Sequence, residues 1–310
     1  MQLRIQIKME VSGQTILPPT TYKTYQDEFI KWLQRLGYSM STIKGYEIQL
    51  QTFFQWLTAN YIRELDELTP TNLEVYNKHL HTRKNKQKQG GLSSGYIQSH
   101  INVIRLLSKY LELTGEKKIF TGGIRVEPET KTPRTVLTQN EIQRLYRATD
   151  DTPKGLRDRA ILSLYYGCGL RYREGIRLEK KHIDYQRQLL YVVPGKNYQS
   201  RFIPINKKII KDLRDYETYG RPYFEKQYNI VFLLGANGRA LNGTTIGKRL
   251  KFLLDKAEIQ KAICLHGLRH SIATHLLQQG MPLEQISKFL GHKSLDSTQI
   301  YTRIAEELND

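Results

Sequence analysis

With 310 residues, the chain is long enough for two ordinary domains or one large one, and ample for a real hydrophobic core. Its 48 Lys+Arg against 30 Asp+Glu give a formal charge of +18, a surplus that favours a polyanionic partner, nucleic acid being the commonest. No run of about 18 apolar residues suggests a membrane span, and the alternating start MQLRIQIKMEVSGQ lacks the apolar stretch of a signal peptide.

Residues 1–21, which contain Leu17-Pro18-Pro19-Thr20, read as a loose arm. From 22 to 114 the pattern is helical throughout. Phe29, Trp32, Leu33 and Leu36 fall on one helical face, and Gly37 stops that helix. A second helix starts near Ser39 or Ser41 and carries Ile43, Tyr46, Leu50, Phe53, Phe54 and Leu57. The third opens at Thr69 with Pro70 in its first turn. The fourth begins near Ser93 or Ser94 and buries Ile97, Ile101, Ile104, Leu107 and Leu111. Four helices joined by short loops predict a small all-α domain. Between the last two lies the basic run Arg83-Lys84-Asn85-Lys86-Gln87-Lys88. Its Arg83, Lys84, Lys86 and Lys88 are candidate phosphate contacts, although such a run also suits a solvated loop.

Residues 115–135 hold glycines, prolines and charges without periodicity and read as a linker. Thr138-Gln139-Asn140-Glu141 is a capping box, so a second domain is expected over 136–310. It mixes a helix over Leu156–Gly167 with two strands, 189–193 and 201–205, joined by the turn Pro194-Gly195-Lys196-Asn197; 230–234 is a third strand candidate. Helices follow Thr244, with breaks at Gly280-Met281-Pro282 and Gly291-His292. Cys168 and Cys264 both sit among apolar residues, where buried thiols are expected; they offer no disulfide framework or Cys-based zinc site, and a reducing cytoplasm is the expected compartment.

Four segments of this second domain concentrate unusual polar residues: Gly169-Leu170-Arg171-Tyr172-Arg173-Glu174, the Lys196 turn, His266-Gly267-Leu268-Arg269-His270, and Leu290-Gly291-His292 with Tyr301 nine positions on. Each alone has a bland explanation. Together they suit attack on a phosphodiester. Two arginines can clamp non-bridging oxygens with planar donors that never deprotonate. His266 and Arg269, three apart on a helix, share a face. A phenol with a pKa near 10 needs a base and a cationic field to become nucleophilic, and a lysine could protonate a departing oxygen. His266 and His270 lack the Glu or third ligand of a zinc site, and neither a nucleotide-binding loop nor a two-magnesium carboxylate cluster is present.

These motifs resemble the tyrosine recombinase, or phage integrase, family, and the likeness covers nearly the whole chain. GLRYRE resembles the family's first arginine box, with Arg171 as its arginine and Glu174 as its supporting acid. Lys196 matches the hairpin lysine, HGLRH the box giving His266 and Arg269, LGH the box giving His292, and Tyr301 the nucleophile. Two positions depart from the pattern: the hairpin reads Gly195-Lys196-Asn197-Tyr198-Gln199-Ser200-Arg201 where a second basic residue often follows closely, and Arg173, a candidate DNA contact, stands where the family is often small or polar.

The resemblance implies an N-terminal four-helix core-binding (SAM-like) domain and a C-terminal mixed α+β, mainly helical catalytic domain with a small three-stranded antiparallel sheet. It implies a 3′-phosphotyrosyl intermediate, strand exchange through a Holliday junction, a homotetramer on two double-stranded DNA sites with inverted-repeat cores, and a nucleoid-associated location. No cofactor, metal or membrane is implied. Integration and excision of a mobile element is the favoured role, on the strength of the N-terminal arm, with Xer-type dimer resolution or DNA inversion as alternatives. A type IB topoisomerase and a catalytically inactive DNA-binding homologue are the competing classes. His270 and His275 read as packing residues, and Ile304, Ala305 and Leu308 as a small apolar stripe that could dock on a neighbouring subunit.

Overall fold

The computed structural model describes residues 20–85, 89–115, 126, 135–193 and 200–292, and divides into two compact units, 1–131 and 132–310. The first unit holds helices α1 (Thr20–Arg35), α2 (Met40–Ala59), α3 (Pro70–Thr82) and α4 (Ser94–Leu113). Their starts follow from local chemistry. Ser39, Thr69 and Ser93 each accept a hydrogen bond from the N–H three residues on, and Pro70 takes the first turn, where a missing N–H costs nothing. Helix α1 ends one residue earlier than the apolar spacing predicts, and Leu36 is exposed rather than part of the buried face.

Aromatic side chains dominate this core. Tyr22 stacks on Phe54 with ring centroids 4.8 Å apart, and Tyr76 meets Phe53 at 4.9 Å. The Tyr22 hydroxyl donates to the Ile62 carbonyl (2.9 Å). His100 is fully buried and pairs through Nδ1 with the Tyr76 hydroxyl at 3.0 Å. Of the basic run, Arg83 caps the end of α3 and Lys84 is exposed; Lys86 and Lys88 lie outside the described residues.

The second unit opens with α5 (Gln139–Arg147), whose N-terminus is the predicted Thr138–Glu141 capping box. Helix α6 (Pro153–Leu162) follows, and its last turn widens into a π-helical segment, Ser163–Gly167, where a uniform helix was expected. Helix α7 (Tyr172–Ile176) comes next. Strands β1 (Ile183–Asp184), β2 (Leu189–Val192) and β3 (Arg201–Pro204) form one antiparallel sheet in that order. Its register pairs Tyr191 with Phe202 and Val192 with Arg201. Helices α8 (Lys207–Asp215), α9 (Arg221–Phe224), α10 (Gly243–Lys256), α11 (Leu265–Gln278) and α12 (Leu283–Leu290) complete the described part. No helix among the described residues is long and apolar enough to cross a membrane.

The predicted strand at 230–234 is not one; the third strand is β1. Segment 230–234 makes isolated bridges, Val231 with Glu179 and Leu234 with Ala240. The buried Arg221 guanidinium donates to the carbonyls of Asn229, Val231 and Phe232, so these groups are satisfied without a ladder. Cys168 is buried, and burial pushes its thiol up to about 12. Cys264 is exposed, contrary to expectation, because it is the N-cap residue of α11.

Helix α6 is the hub of this unit. Leu156, Ala160 and Ile161 belong to a core shared with Tyr216, Phe232, Leu250 and Leu268. The almost wholly buried Asp158 carboxylate takes hydrogen bonds from Arg249 on α10 at 3.0–3.1 Å, and Arg157 lies over the Phe224 ring and donates to the Leu234 carbonyl.

Burial and then the charge of Arg83 lower the pKa of His100 from 6.5 to about 4. The unfolded chain therefore takes up this proton first: stability is intact above about pH 6.5 and is lost as pH falls towards 4. The expected loss is up to about 3 kcal/mol. Both tryptophans, Trp32 and Trp56, belong to the first unit, so urea unfolding followed by their fluorescence at pH 7 and pH 4.5 reports on it. H100Q should flatten the pH dependence, and an unchanged slope in H100Q would refute the assignment.

Candidate active site

The site is assembled around the C-terminus of α12. A helix leaves its last carbonyls without intrahelical partners and carries the negative end of the macrodipole there. Three arginines from three other elements supply the missing donors. Arg201 on β3 donates Nε to the Phe289 carbonyl (2.8 Å). Arg171, the N-cap residue of α7, donates to the carbonyls of Leu290 (3.2 Å) and Gly291 (2.8 Å). Arg269 on α11 donates Nη2 to the same Leu290 carbonyl (2.8 Å) and Nη1 to the Gly169 carbonyl (2.6 Å). One carbonyl oxygen thus brings the Arg171 and Arg269 guanidinium groups side by side.

Two glycines make this approach possible. Gly291 ends α12 in the left-handed region (φ 66°), and a Cβ there would lie 2.9 Å from Nη1 of Arg201. Gly169, at φ 58°, packs so closely on α12 that a Cβ would sit 2.9 Å from Leu290 and 3.1 Å from Phe289. The turn closes with the His292 N–H donating to the Ser287 carbonyl (3.0 Å), which fixes the backbone from which the His292 side chain projects.

Glu174 is the counter-charge. Its two oxygens accept from Arg201 Nη1 and Nη2 at 3.0 and 2.9 Å, while Arg171 donates its backbone N–H (2.8 Å) and Nη1 (3.0 Å) to the same carboxylate. Burial alone would raise the Glu174 pKa, but the hydrogen bonds and charge of Arg201, then those of Arg171, outweigh it and hold the group at about 2. Arg201 was missed as a site residue from the sequence. The signal was the strand alternation: it shares the buried face of β3 with Ile203, and a buried arginine demands a buried partner.

His292 feels the whole cluster. Burial first, then the charges of Arg269, Arg171, Arg201 and His266, lower its pKa to about 4. His266 is exposed on the first turn of α11, its ring edge-on to that of His270 at 4.3 Å. His270 and His275 are buried, and His275 Nδ1 pairs with the Tyr166 hydroxyl at 3.0 Å, as packing residues do. Arg269 has no solvent exposure, whereas the Arg171 side chain is 16% exposed. Arg173 is exposed on α7. Lys196, Tyr301 and the tail residues Ile304, Ala305 and Leu308 lie outside the described residues. The structure therefore brings together Arg171, Glu174, His266, Arg269 and His292, and adds Arg201.

Comparison with known proteins identifies this fold. Residues 135–307 match the phage integrase family model. Tyrosine recombinase XerD of Corynebacterium glutamicum is 30% identical over 286 residues, covering 89% of this chain and 93% of its own. Among solved structures, the XerH site-specific recombinase bound to palindromic difH substrate superposes with a TM-score of 0.73 at 19% identity, covering 93% of this chain and 82% of that one. A Tn1549 transposon integrase fragment in complex with transposon right-end DNA gives a TM-score of 0.68 at 15% identity over 92% of this chain and 99% of its own. The chain belongs to the phage integrase family, the tyrosine recombinases, and is a DNA breaking–rejoining enzyme.

Two measurements test the geometry. Gly291→Ala forces a side chain into the left-handed region against Arg201 and should lower the unfolding free energy by roughly 1–2 kcal/mol; a neutral effect in urea titrations would contradict the packing. The His292 ring should stay neutral from pH 8 down to about 5, since its pKa is lowered to about 4. An NMR titration midpoint near the ordinary histidine value would show that the cationic cluster does not surround it.

Proposed function

We propose that the protein is a site-specific DNA recombinase in which Tyr301 attacks the scissile phosphate, forming a 3′-phosphotyrosyl bond and releasing a 5′ hydroxyl. The observation that carries the reading is the meeting of Arg171 and Arg269 on the single Leu290 carbonyl, with His266 and His292 in the same electrostatic field. Two adjacent guanidinium groups fit two non-bridging phosphate oxygens and would stabilise the charge that grows on them in the transition state. His292, kept neutral by its surroundings, is in this reading a hydrogen-bonding partner of the phosphate at neutral pH that adds no further charge to the cluster. Lys196, in the sequence between β2 and β3, is assigned as the proton donor to the leaving oxygen.

Arg171 is partly exposed and is the first guanidinium that a phosphate meets; Arg269 is fully covered, and DNA engagement must uncover it. Energy stored in the phosphotyrosyl ester allows rejoining without a nucleotide cofactor, and attack by a partner strand's 5′ hydroxyl leads through a Holliday junction. The four-helix unit acts in this reading as the core-binding domain, with Arg83, Lys84, Lys86 and Lys88 as phosphate contacts of its basic loop and Arg173 as a further contact from α7. A homotetramer on two inverted-repeat sites, working at the nucleoid, follows from the same cycle.

For the biological role, the full-length likeness to a protein named XerD supports Xer-type resolution. The fold is shared with a transposon integrase as well, which keeps mobile-element integration and excision as the second reading.

The test is covalent capture on a nicked duplex carrying half-sites selected from a random DNA pool by binding. Y301F should form no adduct. R171K and R269K should bind the duplex but form the adduct roughly 10²–10³-fold more slowly. An adduct with Y301F would sink the proposal, and relaxation of plasmid lacking the selected site would favour a topoisomerase.

A further inference from the structure

Arg201 lies outside the set of residues assigned to the phosphate, yet its side chain makes three hydrogen bonds in this cluster. It spends both terminal nitrogens on the two oxygens of Glu174 and its Nε on the Phe289 carbonyl, and it sits beneath Gly291. Its side chain is 7% exposed and that of Glu174 is 10% exposed, so the pair is shielded from solvent screening.

The arrangement matters because Arg171 also bonds Glu174. A carboxylate whose single partner was Arg171 would cancel that arginine's charge and hold its guanidinium towards the protein. With Arg201 present, these four side chains, Arg171, Arg201, Arg269 and Glu174, carry three positive charges against one negative. The carboxylate orients Arg171 through its backbone N–H and Nη1 while Arg201 takes up the compensating charge. We infer that Arg201 is a positioning residue that neutralises Glu174, so that Glu174 can orient Arg171 without cancelling the positive potential offered to the phosphate. The same side chain ties β3 to the end of α12, so this strand is locked to the backbone whose carbonyls hold Arg171 and Arg269 and which leads into His292.

The inference rests on the assignment of Arg171 and Arg269 to the scissile phosphate, and its test separates the two. Adduct formation on the selected nicked duplex is timed for the wild type, R201Q, R201K, E174Q and the double variant R201Q/E174Q, with affinity for the uncut duplex and the urea midpoint measured for each. Loss of a unit charge at this range and an effective dielectric of about 20 corresponds to roughly thirtyfold in rate. R201Q should therefore form the adduct about thirtyfold more slowly, with duplex affinity changed by less than about threefold.

Removing the orphaned carboxylate should reverse the loss. The double variant should recover about tenfold over R201Q, even though E174Q alone is slower than wild type. A purely structural arginine predicts the opposite, a double variant no faster than R201Q, and that result would overturn the inference. R201K keeps the charge and loses the fork. It should stay within about threefold of wild type, and a loss as deep as that of R201Q would overturn the inference too; if R201Q does not fold, R201K carries the test alone. An adduct with Y301F discards the parent reading, whereas an inactive Y301F beside a folded R201Q of wild-type rate discards this inference only.

Discussion

The carboxyl end of one short helix organises the catalytic unit. Helix α12 spans Leu283–Leu290, and its final carbonyls point towards three guanidinium groups from β3, α7 and α11. Leaving such carbonyls buried and unpaired would cost a desolvation penalty each, and arginine is suited to meet them because its planar fork donates in two directions at once. The arginines are thereby oriented by backbone atoms, which have few ways to move. Ile286 and Leu290 anchor the helix against Ala273 and Val136, so hydrophobic packing sets the position of the carbonyls and the carbonyls set the position of the charges.

Placing positive charges this close together works against folding, and the structure offsets the cost locally. Glu174 is held ionised by two arginines, and His292 gives up its proton instead of adding another charge. What remains is a net-positive cluster whose guanidinium groups are already oriented in the folded chain. Donors oriented in advance are the condition under which electrostatic stabilisation of a transition state is most effective. The two units differ in keeping with this. The core of the first is built on stacked aromatic rings, with few buried polar side chains such as Gln49 and His100. The second buries Arg157, Asp158, Asp212, Arg221 and Arg269, each paired with a specific guanidinium, hydroxyl or carbonyl. Such networks have few alternative arrangements, which suits a site needing fixed geometry.

Local signals in the sequence were sufficient wherever a structure depends on its own neighbours. Ser39, Thr69, Ser93 and Thr138 stand at helix starts because an N-cap bond spans only three residues. The β2–β3 pairing was equally legible, from two alternating segments around a Pro-Gly turn. The errors arose where a distant group intervened. Segment 230–234 looked like a strand, but Arg221 takes its carbonyls. Cys264 has apolar neighbours in sequence and is nevertheless exposed at a helix start. The apolar spacing past Gly155 suggested one uniform helix, yet its last turn opens to a π-helical form.

Residue types, spacing and the motif resemblance singled out Arg171, Glu174, His266, Arg269 and His292 as belonging together, because phosphate chemistry requires that combination of donors. By itself the sequence thus determined which groups are available and roughly where helices carry them. Only the tertiary structure decided how they are held: that Arg171 and Arg269 share the Leu290 carbonyl, that Arg269 is wholly covered, and that Arg201 supplies the second cation on Glu174. The reason is physical. Hydrogen-bond geometry and desolvation depend on atoms brought together from residues 21 to 120 positions apart, and no local pattern encodes those distances.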